Sequence, residues 1–443
     1  YGSKQQIRIA YFNRYKCVSR QEPLMAPVDT HSFLKTLSIQ DIMLKKLCFI
    51  AVLLIAPLTM INAQKKEIAQ AKDNVKAGKA LAEAEASMRK LLNDSSNKTN
   101  EKIWLVLFDA VRKQYEKINE QMYLKQKVDT ANLFDITNRM FGVLEGLDSL
   151  DAMPDRKGRV KLNYRKRNAE YLNAFRPNLY NGGMFYVAKK EYRKAFNIFA
   201  TYIDCAKQPL FESYKYASTD KRLPNAAFYA VYSGFKLNDA NLTLRYADIA
   251  QQDTAWLSTT YQYMAETYRA EKDSLKFFEV LQSGFARYPR SKYFFTHLFD
   301  YYFKRGEIEQ SKALCDDAIE ADSVNVIALF AKSTVLLAQK DYDNCISLCD
   351  KIISLDNNHA EAYLNAALAY FNQAVKIDNS KNRSREKRSQ MIALYRKALP
   401  YMQTYRKLAP NAKEQWAMPL YTIYLNLNMG KEFDEVDAIV KGM

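Results

Sequence analysis

Between Ser258 and His359, three consecutive stretches of 34 residues place apolar and polar residues at the same offsets. With Ser258, Lys292 and Val326 as first positions, the fourth positions are Tyr261, Phe295 and Leu329, and the eleventh are Tyr268, Tyr302 and Leu336. Large residues seven apart fall on one face of a helix. Position 16 holds Asp273, Glu307 and Asp341, where a first helix should give way to a turn. Positions 31 and 32 hold Tyr288-Pro289, Asp322-Ser323 and Asp356-Asn357, where a second helix should end. Each period therefore predicts two antiparallel helices too short to bury their apolar faces alone, and stacking on the neighbouring pair supplies the missing cover.

The register extends in both directions. With Arg176 as a first position, Gly182-Gly183 form a small pair, Tyr186 is the aromatic, Glu191-Tyr192 mark the turn, and Ala195 and Phe199 occupy positions 20 and 24. The next unit starts at Pro224, so about 14 extra residues, Pro209 to Arg222 among them, form a loop or a lengthened second helix. Starts then follow at Ser258, Lys292, Val326 and Ala360. After Phe371 the pattern is interrupted by the polar stretch Asp378 to Arg388, and it resumes with Ala398, Met402, Tyr405 and Pro410. Trp416 to Asn426 and Glu432 to Val440 form a last pair whose polar outer side would cap the stack.

These positions resemble the tetratricopeptide repeat, with its large residue, small pair, aromatic, Ala, Phe and Pro at fixed spacing. The resemblance covers 176–443 well and 64–175 weakly. It implies an all-α, right-handed solenoid of about seven to nine antiparallel helix pairs. It implies, too, that Gly183, Ala265 and Ala367 of first helices lie close to small residues such as Ala195 and Cys345 of second helices, as determinants of the fold. In such arrays the first helices line a concave face, with positions 2, 5, 9 and 12 pointing into it. Here that face would carry Phe228, Tyr232, Phe235, Gln262, Glu266, Arg269, Tyr293, Thr296, Asp300, Phe303, Phe330, Thr334 and Leu337. An aromatic groove with a few central charges suits an apolar or amphipathic peptide, so the expected partner is another polypeptide. Position 5 carries Tyr180, Phe228, Gln262, Thr296, Phe330 and Leu364 and never Lys, which argues against the variant that clamps the carboxylate end of chaperone tails.

Upstream, residues 1–42 have no helical period and read as a disordered leader or as sequence ahead of the true start. From Met43 the chain runs Lys45-Lys46, an apolar stretch Leu47 to Met60, then Ile61-Asn62-Ala63. That is the layout of a secretory signal peptide over 43–63 with cleavage after Ala63, and the apolar run falls short of the roughly 20 residues that span a bilayer. The expected location is the periplasm or the outer-membrane surface of a bacterial envelope. Residues 64–175 predict helices at Lys79–Leu92, about Glu101–Lys125 and about Asn132–Leu147, forming degenerate repeats or a cap. The array over 176–443 then carries insertions near 207–222 and 376–390.

Composition narrows the function. Twelve glycines in 443 residues leave few tight turns or phosphate-cradling loops, whereas 31 Tyr and 23 Phe suit the large side chains that hold helix pairs together. The formal charge of +17 is spread along the chain, so a nucleic-acid partner is not expected. Its densest part, Arg156, Lys157, Arg159, Lys161, Arg165, Lys166 and Arg167, reads as a solvated linker and helix start. If this stretch and 381–388 bind instead, the chain is an accessory subunit of an envelope complex that touches membrane or an acidic partner. No phosphate-loop, dinucleotide, zinc-protease or serine-hydrolase motif is present, and His31, His297 and His359 are the only histidines. No enzyme, cofactor or metal is therefore expected, an unrecognised carboxylate site being the residual enzymatic alternative. Cys205, Cys315, Cys345 and Cys349 read as buried thiols, with Cys205 the least constrained. Five triplets, Asp129-Thr130-Ala131, Asp148-Ser149-Leu150, Asp253-Thr254-Ala255, Asp273-Ser274-Leu275 and Asp322-Ser323-Val324, resemble bacterial O-glycosylation sites, although capping explains Ser or Thr at helix starts equally well.

Overall fold

Helix boundaries follow from one backbone event that recurs at position 15. Lys190, Asn238, Lys272, Gly306 and Lys340 all have positive φ, between 52° and 73°, which ends the first helix. The amide of the next residue then reaches back to the carbonyl at position 11. Glu191 donates to Tyr186, Asp239 to Gly234, Asp273 to Tyr268, Glu307 to Tyr302 and Asp341 to Leu336, at 2.9 to 3.1 Å. This is the Schellman closure, which satisfies a helix-end carbonyl that would otherwise lack a partner. The carboxylates of Asp239 and Asp273 also accept from Leu242 N and Lys276 N, capping the second helix.

The computed structural model describes residues 63–379 and 384–443. The expected leader and, apart from Ala63, the expected signal segment fall outside them. The described chain runs α1 (63–77), α2 (Leu81–Leu92), α3 (Glu101–Tyr123), α4 (Thr130–Asp151), α5 (Arg165–Ala188), α6 (Tyr192–Asp204), α7 (Tyr216–Thr219) and α8 (Leu223–Lys236). It continues with α9 (Ala240–Leu244), α10 (Ala247–Ala250), α11 (Leu257–Ala270), α12 (Ser274–Arg287), α13 (Lys292–Lys304) and α14 (Ile308–Ala321). It ends with α15 (Val326–Gln339), α16 (Tyr342–Leu355), α17 (Ala360–Asp378), α18 (Arg385–Leu408), α19 (Lys413–Leu427) and α20 (Gly430–Lys441). Helices pack on their sequence neighbours and on the first helix of the adjacent pair, and no strand occurs among the described residues. The protein is an all-α solenoid. One core cluster is continuous from Ala71 to Ala331, and two further clusters cover 329–369 and 367–436. None of the described helices is long and apolar enough to cross a membrane.

Three features depart from the sequence reading. Helix α5 begins at Arg165 and runs through Pro177, so Arg176 lies inside a helix of 24 residues. Its guanidinium is buried between the rings of Tyr202 and Tyr216, 3.8 Å from each, and pairs with Asp220 at 2.7 Å. The insertion after α6 is neither an open loop nor a longer second helix. It is a 3-10 turn, Pro209–Tyr214, followed by the one-turn α7, and it supplies the Tyr216 and Asp220 that make burial of Arg176 tolerable. The interruption near 376–390 is flanked by two lengthened helices, α17 with 19 residues and α18 with 24, which take up most of the extra chain.

Small residues act where helices approach most closely, though Gly183 faces an aromatic ring rather than Ala195. A Cβ there would lie 2.5 Å from the Phe199 ring. At Gly234 the neighbour is the α9 backbone, 2.4 Å from the missing Cβ. The glycosylation-like triplets also resolve differently: at Asp129 and Asp273 the aspartate is the cap, and the Asp148 carboxylate is buried against Arg165 at 2.8 Å.

Candidate functional site

The first helices α8, α11, α13 and α15 carry the expected groove residues at successive levels of the stack. Phe228 does not join them. It is buried, with its ring stacked on Trp256 at 4.8 Å and within 6.3 Å of Tyr263, so it belongs to the packing between α8 and α11. Tyr232 and Phe235 remain half-buried and converge on Tyr263 of α11, with ring centroids 6.0 and 4.4 Å away. The Tyr192 ring meets Tyr232 edge-on at 5.7 Å, and the Lys236 ammonium lies 5.5 Å from the Tyr232 centroid. Burial, aided by a hydrogen bond with Tyr192, pushes the Tyr232 phenol up to about 12. The result is a continuous ring surface built by α6, α8 and α11. Tyr263 is its centre although it sits at position 6, outside the set that sequence reasoning selected.

One turn further along α11, Glu266 pairs with Arg269 and accepts a hydrogen bond from the Tyr293 hydroxyl at 2.6 Å. Burial and this carboxylate hold the Tyr293 phenol above its usual range. His297, also missed, packs 4.6 Å from Tyr293, and burial lowers its pKa, so the imidazole is neutral at pH 7. Gln262 donates weakly to Ser258 Oγ at 3.4 Å. Thr296 bonds back to its own helix through the Lys292 carbonyl, and Asp300 is exposed beside Lys304 at 3.0 Å. Phe303 stacks on Phe299 at 5.3 Å, which in turn stacks near Phe295.

On α15 the arrangement is more closed. Phe330 lies 5.1 Å from the His359 ring, Leu337 packs against the 329–369 cluster, and Thr334 Oγ1 accepts from Asn365 Nδ2 at 3.2 Å. Asn365 also donates to Ser333 Oγ at 3.0 Å. The structure thus gathers Tyr232 and Phe235 with Tyr192 and Tyr263, and Glu266, Arg269 and Tyr293 with His297. Thr334 is turned toward α17.

This face offers rings, a few hydroxyls and an internal ion pair, which are groups for holding a ligand. Among the described residues no cluster of three His, Cys, Asp or Glu side chains could hold a metal ion. All four described cysteines are free and buried, Cys205 included, where α6 packs beneath the insertion. Burial pushes the Cys315 thiol up to about 12, and Cys345 is raised by its hydrogen bond to Cys349 and by burial. The same hydrogen bond lowers Cys349, whereas thiols raised by burial, as Cys315 is, stay protonated and poorly reactive.

No protein-family model and no curated protein matches the chain. Solved structures with similarity to this chain include the C-terminal part of a TPR repeat-containing protein from Cytophaga hutchinsonii, with 14% identity and a TM-score of 0.38 over 57% of this chain and 91% of that one. They include YrrB, described as a TPR protein with an unusual peptide-binding site, at 17% identity and TM-score 0.31 over 46% and 98% of the two chains. The TPR domain of P58(IPK) aligns over 80% of this chain and 98% of its own, at 10% identity and TM-score 0.24. The chain's own 34-residue register and its stacked helix pairs resemble the tetratricopeptide repeat.

Proposed function

We propose that the protein is a non-enzymatic scaffold of the bacterial envelope that holds a partner polypeptide along the face built by α8, α11 and α13. The observation that carries this reading is the half-buried ring surface of Tyr192, Tyr232, Phe235 and Tyr263, with the half-buried rings of Tyr293 and Phe303 on the neighbouring first helix α13. Rings held in place by one another present apolar area with little side-chain entropy left to lose, and the hydroxyls of Tyr232 and Tyr263 can bond to a peptide backbone. Export is supported by the basic, apolar and small-residue layout of 43–63.

A photo-crosslinking residue at 232 or 303, introduced into the full chain in its native cells, should capture one recurrent polypeptide in the envelope fraction. Tyr232→Ala combined with Phe303→Ala should weaken that capture at least tenfold while helicity is unchanged. Equal capture by this double variant would sink the ring-face reading, and a chain found only in the cytosol would sink the export reading.

A further inference from the structure

A cleft between second helices is a second feature, lined by none of the rings of the ring surface. Second helices α12 and α14 flank an open cleft of about 660 Å³, floored by Phe285, Leu298 and Leu314, with Pro289 at one end. Its α14 wall presents Asp317 and Glu320, both exposed and neither hydrogen-bonded nor ion-paired within the described residues. The surrounding sequence is acidic within a basic chain. From Gly306 to Glu361 there are eleven carboxylates against four lysines and no arginine, whereas the whole chain is +17. An apolar floor with uncompensated carboxylates on its wall fits a segment that offers apolar side chains flanked by lysine or arginine.

This chain displays such a segment. The connection between α4 and α5 exposes Met153, Val160 and Leu162, which are 55, 52 and 45% exposed, interleaved with Arg156, Lys157, Arg159 and Lys161. Its shape is set in advance. Asp155 accepts from the amides of Lys157 and Arg159 at 2.8 and 2.9 Å, Gly158 takes φ +75°, and the Asp155 amide donates to the Arg159 carbonyl. The far end is anchored where the Tyr164 amide and Asn163 Nδ2 donate to Asp151. The loop is anchored beside α4, and neither α4 nor α5 packs closely against α12 or α14, so it is a second copy that can offer this segment to the cleft.

The geometry points to head-to-tail self-association, in which the 153–162 loop of one copy seats Val160 and Leu162 in the α12–α14 cleft of another, with Lys157 and Lys161 facing Asp317 and Glu320. The two surfaces differ, so the contact is heterologous and can propagate beyond a dimer. It is held by exposed charges and therefore weakens as salt is raised.

Sedimentation velocity on the full chain, over rising protein concentration and at low and high salt, is the test. Wild type should form dimers and longer species at low salt that dissolve at high salt. Asp317→Lys with Glu320→Lys, and separately Lys157→Glu with Lys161→Glu, should each shift the association at least tenfold toward monomer. An equimolar mixture of the two variants should restore it, because each reversed surface then meets its complement. All four positions are exposed, so circular dichroism should show unchanged helicity. A wild-type chain that stays monomeric throughout, whatever else binds the cleft, overturns the proposal. Association untouched by either variant, or not restored in the mixture, overturns it as well.

Discussion

Lysine occupies the left-handed backbone region at three of the five position-15 turns, Lys190, Lys272 and Lys340. For an L-residue that conformation is unfavourable by about 1 kcal/mol or more, and glycine removes the clash. Gly306 shows that the turn accepts it. Lys340→Gly should therefore raise stability by about 0.5–1 kcal/mol, read as a higher urea midpoint with an unchanged slope. A lower midpoint would mean that the lysine stem covers apolar surface worth more than the strain. Glu145 offers a second residue-level test. Its buried Oε1 has no hydrogen-bond partner, and burial, with Asp204 and Asp148 nearby, raises its carboxyl to about 7. A raised folded-state value means that the stabilising contribution is complete at about pH 4 and is lost as pH rises through 7. Glu145→Gln should thus match wild type near pH 4 and exceed it by on the order of 2 kcal/mol at pH 8. Equal stability at both pH values would show that the carboxylate is solvated.

Elements are where sequence legibility ran out unevenly. The pairs α11–α12, α13–α14 and α15–α16 were legible because Tyr261, Phe295 and Leu329 recur without drift and each turn is marked by an acid at position 16. The first eleven residues of α5 were not, because Arg165, Lys166 and Arg167 carry no apolar period and Pro177 sits where a helix would be expected to start. Helix α1 was missed altogether, since 63–77 buries little beyond Ala71 and Val75. Of the rings that meet at Tyr263, Tyr232 and Phe235 were singled out from position alone. Tyr263 was not, because its exposure depends on how α8 crosses α11, which no single repeat encodes. Gly234 belongs to the same scale: it replaces the aromatic of position 11 and lets the α9 backbone approach. Gly234→Ala should cost about 1–3 kcal/mol, because the added methyl meets backbone that cannot swing aside. Thermal unfolding measures this, and a neutral result would show that α9 is free to shift.

At the scale of the molecule, tyrosine hydroxyls bond to carboxylates between successive layers. Tyr186 donates to Asp135, Tyr202 to Asp220, Tyr246 to Asp204, Tyr293 to Glu266 and Tyr401 to Asp350, at 2.6 to 2.9 Å. Burial first, and then the adjacent carboxylate, raises each phenol above its usual value near 10. Their contribution is complete below pH 10 and is lost as pH rises beyond it, so the urea midpoint should fall steeply between pH 10 and 12. Tyr401→Phe should make that fall shallower, and an unchanged slope would mean that these bonds do not couple to folding.

The closure at position 15 has a further consequence, for how such a molecule can change its length. Every group that seals the turn comes from within one 34-residue unit: the left-handed residue, the amide after it and the carbonyl five residues before that amide. A gene duplication or deletion of one whole unit would leave every remaining turn intact and ask only that two faces of the same kind meet. The array is therefore extensible in steps of one helix pair, and the ring surface could lengthen or shorten over generations without refounding the fold.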